Sequence, residues 1–254
     1  MHFLFDPRWA TLALLCMMRL TGLLLLTPVL NGFSIPLRIR LFIVIGLSAC
    51  LANISQDYSI PPLTDIVSLI LLCATELALG GLMAFGIFTA FAAFTIAGRL
   101  LDIQIGFSVG SLIDPITKRQ SPALASLFDL FAILAFFVSN LHHTLIRGFA
   151  ASLEHAPLGQ SVLPISPALL IKQIGVMFSQ GLALAAPVAF CLLLVELGLA
   201  VLSRNIPQLN IFVISMPIKI IAGLAMLSLT IRYLAPAISQ IFNSIFTYWD
   251  ALLA

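Results

Sequence analysis

The sequence predicts an all-α, polytopic membrane protein of about six long, kinked hydrophobic helices. Three observations carry this: 61 % of its 254 residues are hydrophobic, only 9 % are charged, and apolar stretches recur along the whole length. Soluble domains carry roughly a quarter charged residues, so the bilayer is the solvent that suits this composition. Twelve Lys and Arg against ten Asp and Glu leave a net charge of +2, with neither sign gathered in a run. No nucleic-acid partner is expected from such a balance.

The first apolar stretch, Trp9 to Ile35, holds eight leucines between Leu12 and Leu26. Each contributes about 0.5 kcal/mol to insertion, against a cost of roughly 2.5 to 3.5 kcal/mol for Arg19. Insertion survives, and Arg19 is expected to face protein. Pro36, Arg38 and Arg40 form a basic turn before the second stretch, Leu41 to Gln56. The segment Asp57 to Asp65, with Pro61 and Pro62, is acidic and lacks Lys and Arg. By the positive-inside rule the first turn is cytoplasmic, the second is outside, and the N-terminus starts outside. No cleaved signal peptide is expected, since Asp6 precedes Arg8 and no small-residue cleavage site closes a short apolar core.

The third stretch, Ile66 to Gly98, and the sixth, Leu209 to Trp249, are longer than the roughly 20 residues that a bilayer core takes. Their helices are expected to tilt strongly, bend, or run on into a protein environment. The fourth and fifth stretches are Pro122 to Ala151 and Ala168 to Ser203. Pro187, Pro217 and Pro236 are expected to kink the last two stretches, each freeing a carbonyl that partner helices satisfy better than lipid. Arg99, Lys118 and Arg119 in the separator after the third stretch, and Arg204 in the short turn to Gln208, belong on the inside.

Several residue groups invite chemistry. Gly86, Ala90, Ala93 and Ala97 follow at steps of four, three and four and make a small-residue packing face. Arg19, Glu76, Arg99 and Asp102 are charges within or beside apolar helices, costly unless paired, and which partner each finds is left open. Gly106, Phe107, Ser108, Val109 and Gly110 spell G-x-S-x-G, which with His142 or His143 suggests an intramembrane serine protease. The strand-turn-helix context of that motif is missing. Adjacent His142 and His143 are expected on different helix faces, unable to share a metal. Asp102, Asp114 and Asp129 are too irregularly spaced to read as a proton relay, although a small-solute transporter built on Glu76, Arg99 and Asp102 is a further reading. Cys16, Cys50, Cys73 and Cys191 read as small core residues, and neither metal nor cofactor is expected. The segment Gly106 to Pro122 is too apolar for a solvent loop and too rich in glycine for a stable helix. Its residues suit a segment that lines or blocks a cavity inside protein, the alternative being a cytoplasmic turn.

At these residues the sequence resembles the FliR family of flagellar biosynthetic proteins, whose virulence counterparts serve type III secretion injectisomes. The carriers are Arg19 and Gly22 leading to Pro28-Val29-Leu30, the run Ile35 to Leu41, Glu76 with Gly80, and Ala97-Gly98 with the run Asp102 to Ser108. Asp114-Pro115, Asn140 with His142, and the run Pro207 to Ile214 with Pro217 complete them. Pro207-Gln208-Leu209-Asn210-Ile211-Phe212 is the most specific block and follows the flagellar form. Leu141 in place of glycine, and Ser215-Met216 in place of Gly-Phe, are modest departures.

The resemblance implies a non-enzymatic core subunit of the export gate, joining FliP-like and FliQ-like subunits and an FlhB-like gate protein. Unfolded export substrates would pass through the assembly, with membrane lipid around it. It implies a bacterial inner membrane location at the base of the flagellar basal body. It further implies a FliP-like part over residues 1–160 and a FliQ-like helical hairpin over residues 161–254, turning at Arg204, Asn205, Ile206, Pro207, Gln208, Leu209 and Asn210 toward the cytoplasm. Gly106, Phe107, Ser108, Val109, Gly110, Ser111, Leu112, Ile113, Asp114 and Pro115 match the family's pore plug.

Overall fold

The architecture follows from where prolines and glycines interrupt an otherwise unbroken helical text. A computed structural model describes residues 7–28, 36–54, 66–107, 122–159, 166–206 and 211–253. Helix α1 covers Pro7–Leu26 and stops short of Pro28, with the Thr27 hydroxyl donating to the Leu24 carbonyl at 3.1 Å. Helix α2, Leu37–Ile54, starts just after Pro36, whose carbonyl accepts from the amides of Ile39 and Arg40. Helix α3 is Ile66–Ile105, 40 residues without a break. At 1.5 Å per residue it is about 60 Å long, twice the hydrocarbon core of a bilayer. It ends at Gly106, whose φ of 96° is open to glycine and unfavourable to other residues.

Two helices, α4 (Ala123–Val138) and α5 (Leu141–His155), take the place of the single fourth helix that hydropathy predicts. The break is at Asn140, in the left-handed region at φ 54° and ψ 24°, and the helix axes bend by 71° there. Asparagine tolerates this conformation better than almost any other residue with a side chain. Helix α6, Pro167–Asn205, places proline at its first position after Ser166 and continues through Pro187. Helix α7, Ile211–Thr230, likewise continues through Pro217. The expected kink at Pro236 is replaced by a 3-10 turn at Ile231–Tyr233, after which α8, Leu234–Leu253, restarts. Proline has no amide hydrogen for the carbonyl four residues back, and placing it in the first turn of a new helix removes that conflict.

Among the described residues, four segments are long and apolar enough to cross a membrane: Trp9–Leu26, Ile66–Ile105, Pro167–Asn205 and Ile214–Leu253. The bent pair α4 and α5 makes five if it counts as one span. Large apolar side chains such as Phe42, Val138, Ile171 and Ile221 stand exposed, as lipid-facing or partner-facing surfaces require.

The chain gathers into two compact units, one from Met1–Thr89, Phe136–Gln173 and Ser244–Ala254, the other from Ala90–Ala135 and Ile174–Asn243. In the first, glycines admit close neighbours. A Cβ at Gly22 would stand 2.5 Å from the Leu77 carbonyl oxygen, and one at Gly80 would collide with the Arg19 carbonyl. Trp249 from α8 fills the notch at Gly148 and donates its indole N–H to the Met83 carbonyl at 2.9 Å. The ring of Tyr248 fills a second notch, at Gly86. The second unit centres on Phe91, Phe94 and Phe242, with ring centroids 5.8 and 5.6 Å from Phe242.

Candidate functional site

Among the described residues both buried carboxylates are on helix α3, and each is solvated differently. In the first unit, Arg19 of α1 and Glu76 of α3 are 1 % and 2 % exposed, so neither has water to share. Arg19 Nε donates to Glu76 Oε2 at 2.6 Å. Its Nη1 donates to the Ser152 carbonyl at 3.0 Å and reaches the Ser152 hydroxyl at 3.4 Å, while Nη2 donates to the Ala156 carbonyl at 2.9 Å. The guanidinium thereby serves carbonyls at the C-terminal end of α5, where a cation also meets the negative end of the helix dipole. The other Glu76 oxygen, Oε1, accepts the Gly159 amide at 3.0 Å. One ion pair therefore ties α1, α3 and the exit from α5 together.

In the second unit Asp102, 1 % exposed, forms no ion pair among the described residues. Its Oδ1 accepts from the Leu124 amide and its Oδ2 from the Ala125 amide, each at 2.9 Å. Arg99, three residues earlier on α3, is exposed. The hydroxyl of Thr95 donates to Asp129 Oδ1 at 2.6 Å, a partner for Asp129 that spacing alone did not suggest. The small-residue face is buried along its whole length, Gly86 against Tyr248 and Ala93 with its carbonyl beside Gly181.

Of the segment Gly106 to Pro122, the structure describes Gly106, Phe107 and Pro122. Ser108, Val109, Gly110, Ser111, Leu112, Ile113, Asp114 and Pro115 lie outside the described residues, and with them the rest of the G-x-S-x-G pattern. Gly106 donates its amide to the Asp102 carbonyl at 3.2 Å as α3 ends. Arg204, Asn205 and Ile206 close α6 and are exposed, Asn205 donating to the Val201 carbonyl at 3.1 Å. Pro207, Gln208, Leu209 and Asn210 lie outside the described residues.

The His142 and His143 rings, expected on different faces, instead lie against one another with centroids 4.1 Å apart. They sit in the first turn of α5, just after the left-handed Asn140. Among the described residues no group of three His, Cys, Asp or Glu gathers as a metal would require. The four cysteines are free thiols. A second ion pair joins Lys219 of α7 to Glu196 of α6, here with Glu196 53 % exposed. Hydropathy gave no signal for this pair, because each charge is isolated in its own apolar run.

Comparison with known proteins places the chain in a family. The chain is 28 % identical over 239 residues to the flagellar biosynthetic protein FliR of Escherichia coli (strain K12), covering 94 % of this chain and 91 % of that one. Similarity to FliR of Bacillus subtilis (strain 168) is 29 % over 236 residues, covering 91 % and 90 %. To the Yop proteins translocation protein T of Yersinia pestis it is 32 % over 162 residues, covering 61 % and 60 %. Residues 10–245 match the family model described as bacterial export proteins, family 1, so that from α1 nearly to the end of α8 the chain belongs to that family.

Proposed function

We propose that this chain is a core subunit of the export gate of a flagellar-type III secretion apparatus. The observation that carries the reading is the match over residues 10–245, with flagellar relatives aligned along nine-tenths of both chains. In this reading the chain sits in the bacterial inner membrane at the base of the flagellar basal body. FliP-like and FliQ-like subunits pack around it, an FlhB-like protein sits at its cytoplasmic hairpin turn, and unfolded substrates pass through the assembly. Residues 1–160 form the FliP-like part and residues 161–254 the FliQ-like hairpin. Helix α3, about twice as long as a bilayer core, supports such packing, because the excess needs protein around it.

The same reading makes Gly106 to Pro115 the pore plug. Phe107, Val109, Leu112 and Ile113 offer apolar surface worth roughly 1.5 to 3 kcal/mol per side chain at full burial. Ordering a loop costs about 1 to 2 kcal/mol per residue, so a closed plug is only marginally favoured and an entering chain displaces it. The subunit acts without catalysis, and labelling of Ser108 by a fluorophosphonate would reverse that statement. Two measurements test the whole. Purification through a tag on this chain should recover partner subunits in a fixed ratio, and a stable, protease-resistant monomer from cells lacking them would overturn the assembly. Deleting Phe107 to Ile113 should make the assembled channel conduct ions while assembly persists. A deleted channel as tight as wild type removes the plug assignment.

A further inference from the structure

Helix α4 cannot cap itself with the side chain that precedes it. Pro122 stands just before its first residue and offers no side-chain acceptor, so the amides of Leu124 and Ala125 are orphan donors by their local sequence. Asp102 of α3 meets both, one oxygen each, at 2.9 Å. The approach depends on Gly98, one turn earlier in α3, where a Cβ would stand 2.5 Å from the Ala125 Cα. A turn before that, Thr95 donates to Asp129 at 2.6 Å. Three successive turns of α3 are thus stitched to the opening turns of α4. The chain leaves α3 at Gly106 and has returned by Pro122, so the stitches lie at the base of that excursion.

We infer that Asp102 is a positioning residue whose carboxylate fastens the outgoing and returning ends of the 106–122 segment to one another. The fastening stands on the hydrogen bonds alone, and its consequence for the channel rests on reading that segment as the plug. Neither oxygen is spare: an aspartate accepts both amides, whereas an asparagine of the same size has one accepting oxygen and an amide that donates.

The test is hydrogen exchange by mass spectrometry on the assembled complex, following peptides that cover residues 122–128, together with its conductance. The amides of Leu124 and Ala125 should be protected in the wild type, and rapid exchange there would overturn the inference without any variant. Asp102→Asn should speed their exchange roughly ten-fold, as loss of a helix cap does, while peptides of α5 keep their wild-type rates. The same variant should raise the resting conductance. Unchanged exchange in Asp102→Asn overturns the fastening. Faster exchange with wild-type conductance upholds the fastening and overturns its consequence for the channel, whereas the plug reading itself is overturned by a tight channel after deletion of Phe107 to Ile113, so the two fail separately.

Discussion

Glu76 and Asp102 sit on one helix, both buried, and the protein meets their oxygens by different means. Glu76 receives a full cation, and that cation is itself held by carbonyls of Ser152 and Ala156. Asp102 receives, among the described residues, two amides at the start of α4, with the positive end of that helix dipole behind them. The difference teaches what each region can tolerate. A buried ion pair locks three segments at once, and removing either partner strands the other. A carboxylate on a helix N-terminus strands no charge when removed, only two donors.

The largest expected effect breaks the first arrangement. Arg19→Ala or Glu76→Ala should each cost on the order of 3 to 5 kcal/mol by leaving a buried charge alone. Yield of the tagged complex measures it, and wild-type yield from both variants would mean that these side chains reach water. The double replacement Arg19→Met with Glu76→Leu should recover part of the loss, since the apolar pair strands nothing. Next come the glycines that bring backbones together. Gly80→Ala, which drives a methyl into the Arg19 carbonyl, should lose about 1 to 3 kcal/mol. Gly46→Ala meets open space and should gain about 0.5 to 1 kcal/mol of helix stability. Thermal unfolding of the purified complex separates the two signs. The smallest effect belongs to the exposed pair: Glu196→Gln or Lys219→Gln should shift stability by no more than about 1 kcal/mol, by the same measurement. An effect as large as that of Glu76→Ala would mean that a partner covers Glu196 in the assembly.

Orientation sharpens the comparison between the ends of the helices. A cysteine at Asn205, beside exposed Arg204 in the last turn of α6, should resist an impermeant thiol reagent added outside intact cells. It should react once the cytoplasmic face is opened, and ready labelling from outside would invert the assignment.

The helical, membrane-spanning class was legible because composition and apolar run length report the solvent directly. The end of α3 was not. Its charges at Arg99 and Asp102 read as a separator after Gly98, yet the helix runs on to Ile105 with Arg99 turned outward and Asp102 bonded. Hydropathy counts a charge and is blind to what meets it, and the groups that meet Arg19 and Asp102 are mostly backbone atoms, identical at every position. The break between α4 and α5 falls in a run with no proline or glycine near it, and its signal was a lone asparagine. Pairing of Thr95 with Asp129, and the seat of Trp249 against Gly148, depend on tertiary approach and leave no local pattern.

That seat of Trp249 has a consequence for the order of synthesis. The indole that fills the Gly148 notch and caps the Met83 carbonyl is made 166 residues after its acceptor. At roughly 5 to 20 residues per second, the first unit waits on the order of ten seconds or more with the notches at Gly86 and Gly148 open before α8 leaves the ribosome. During that interval α1, α3 and α5 can hold one another through Arg19 and Glu76, which are all translated early, but the aromatic closure cannot form. A chain truncated before Tyr248 would stay in that unclosed state indefinitely, and the quality-control proteases of the membrane would meet it first.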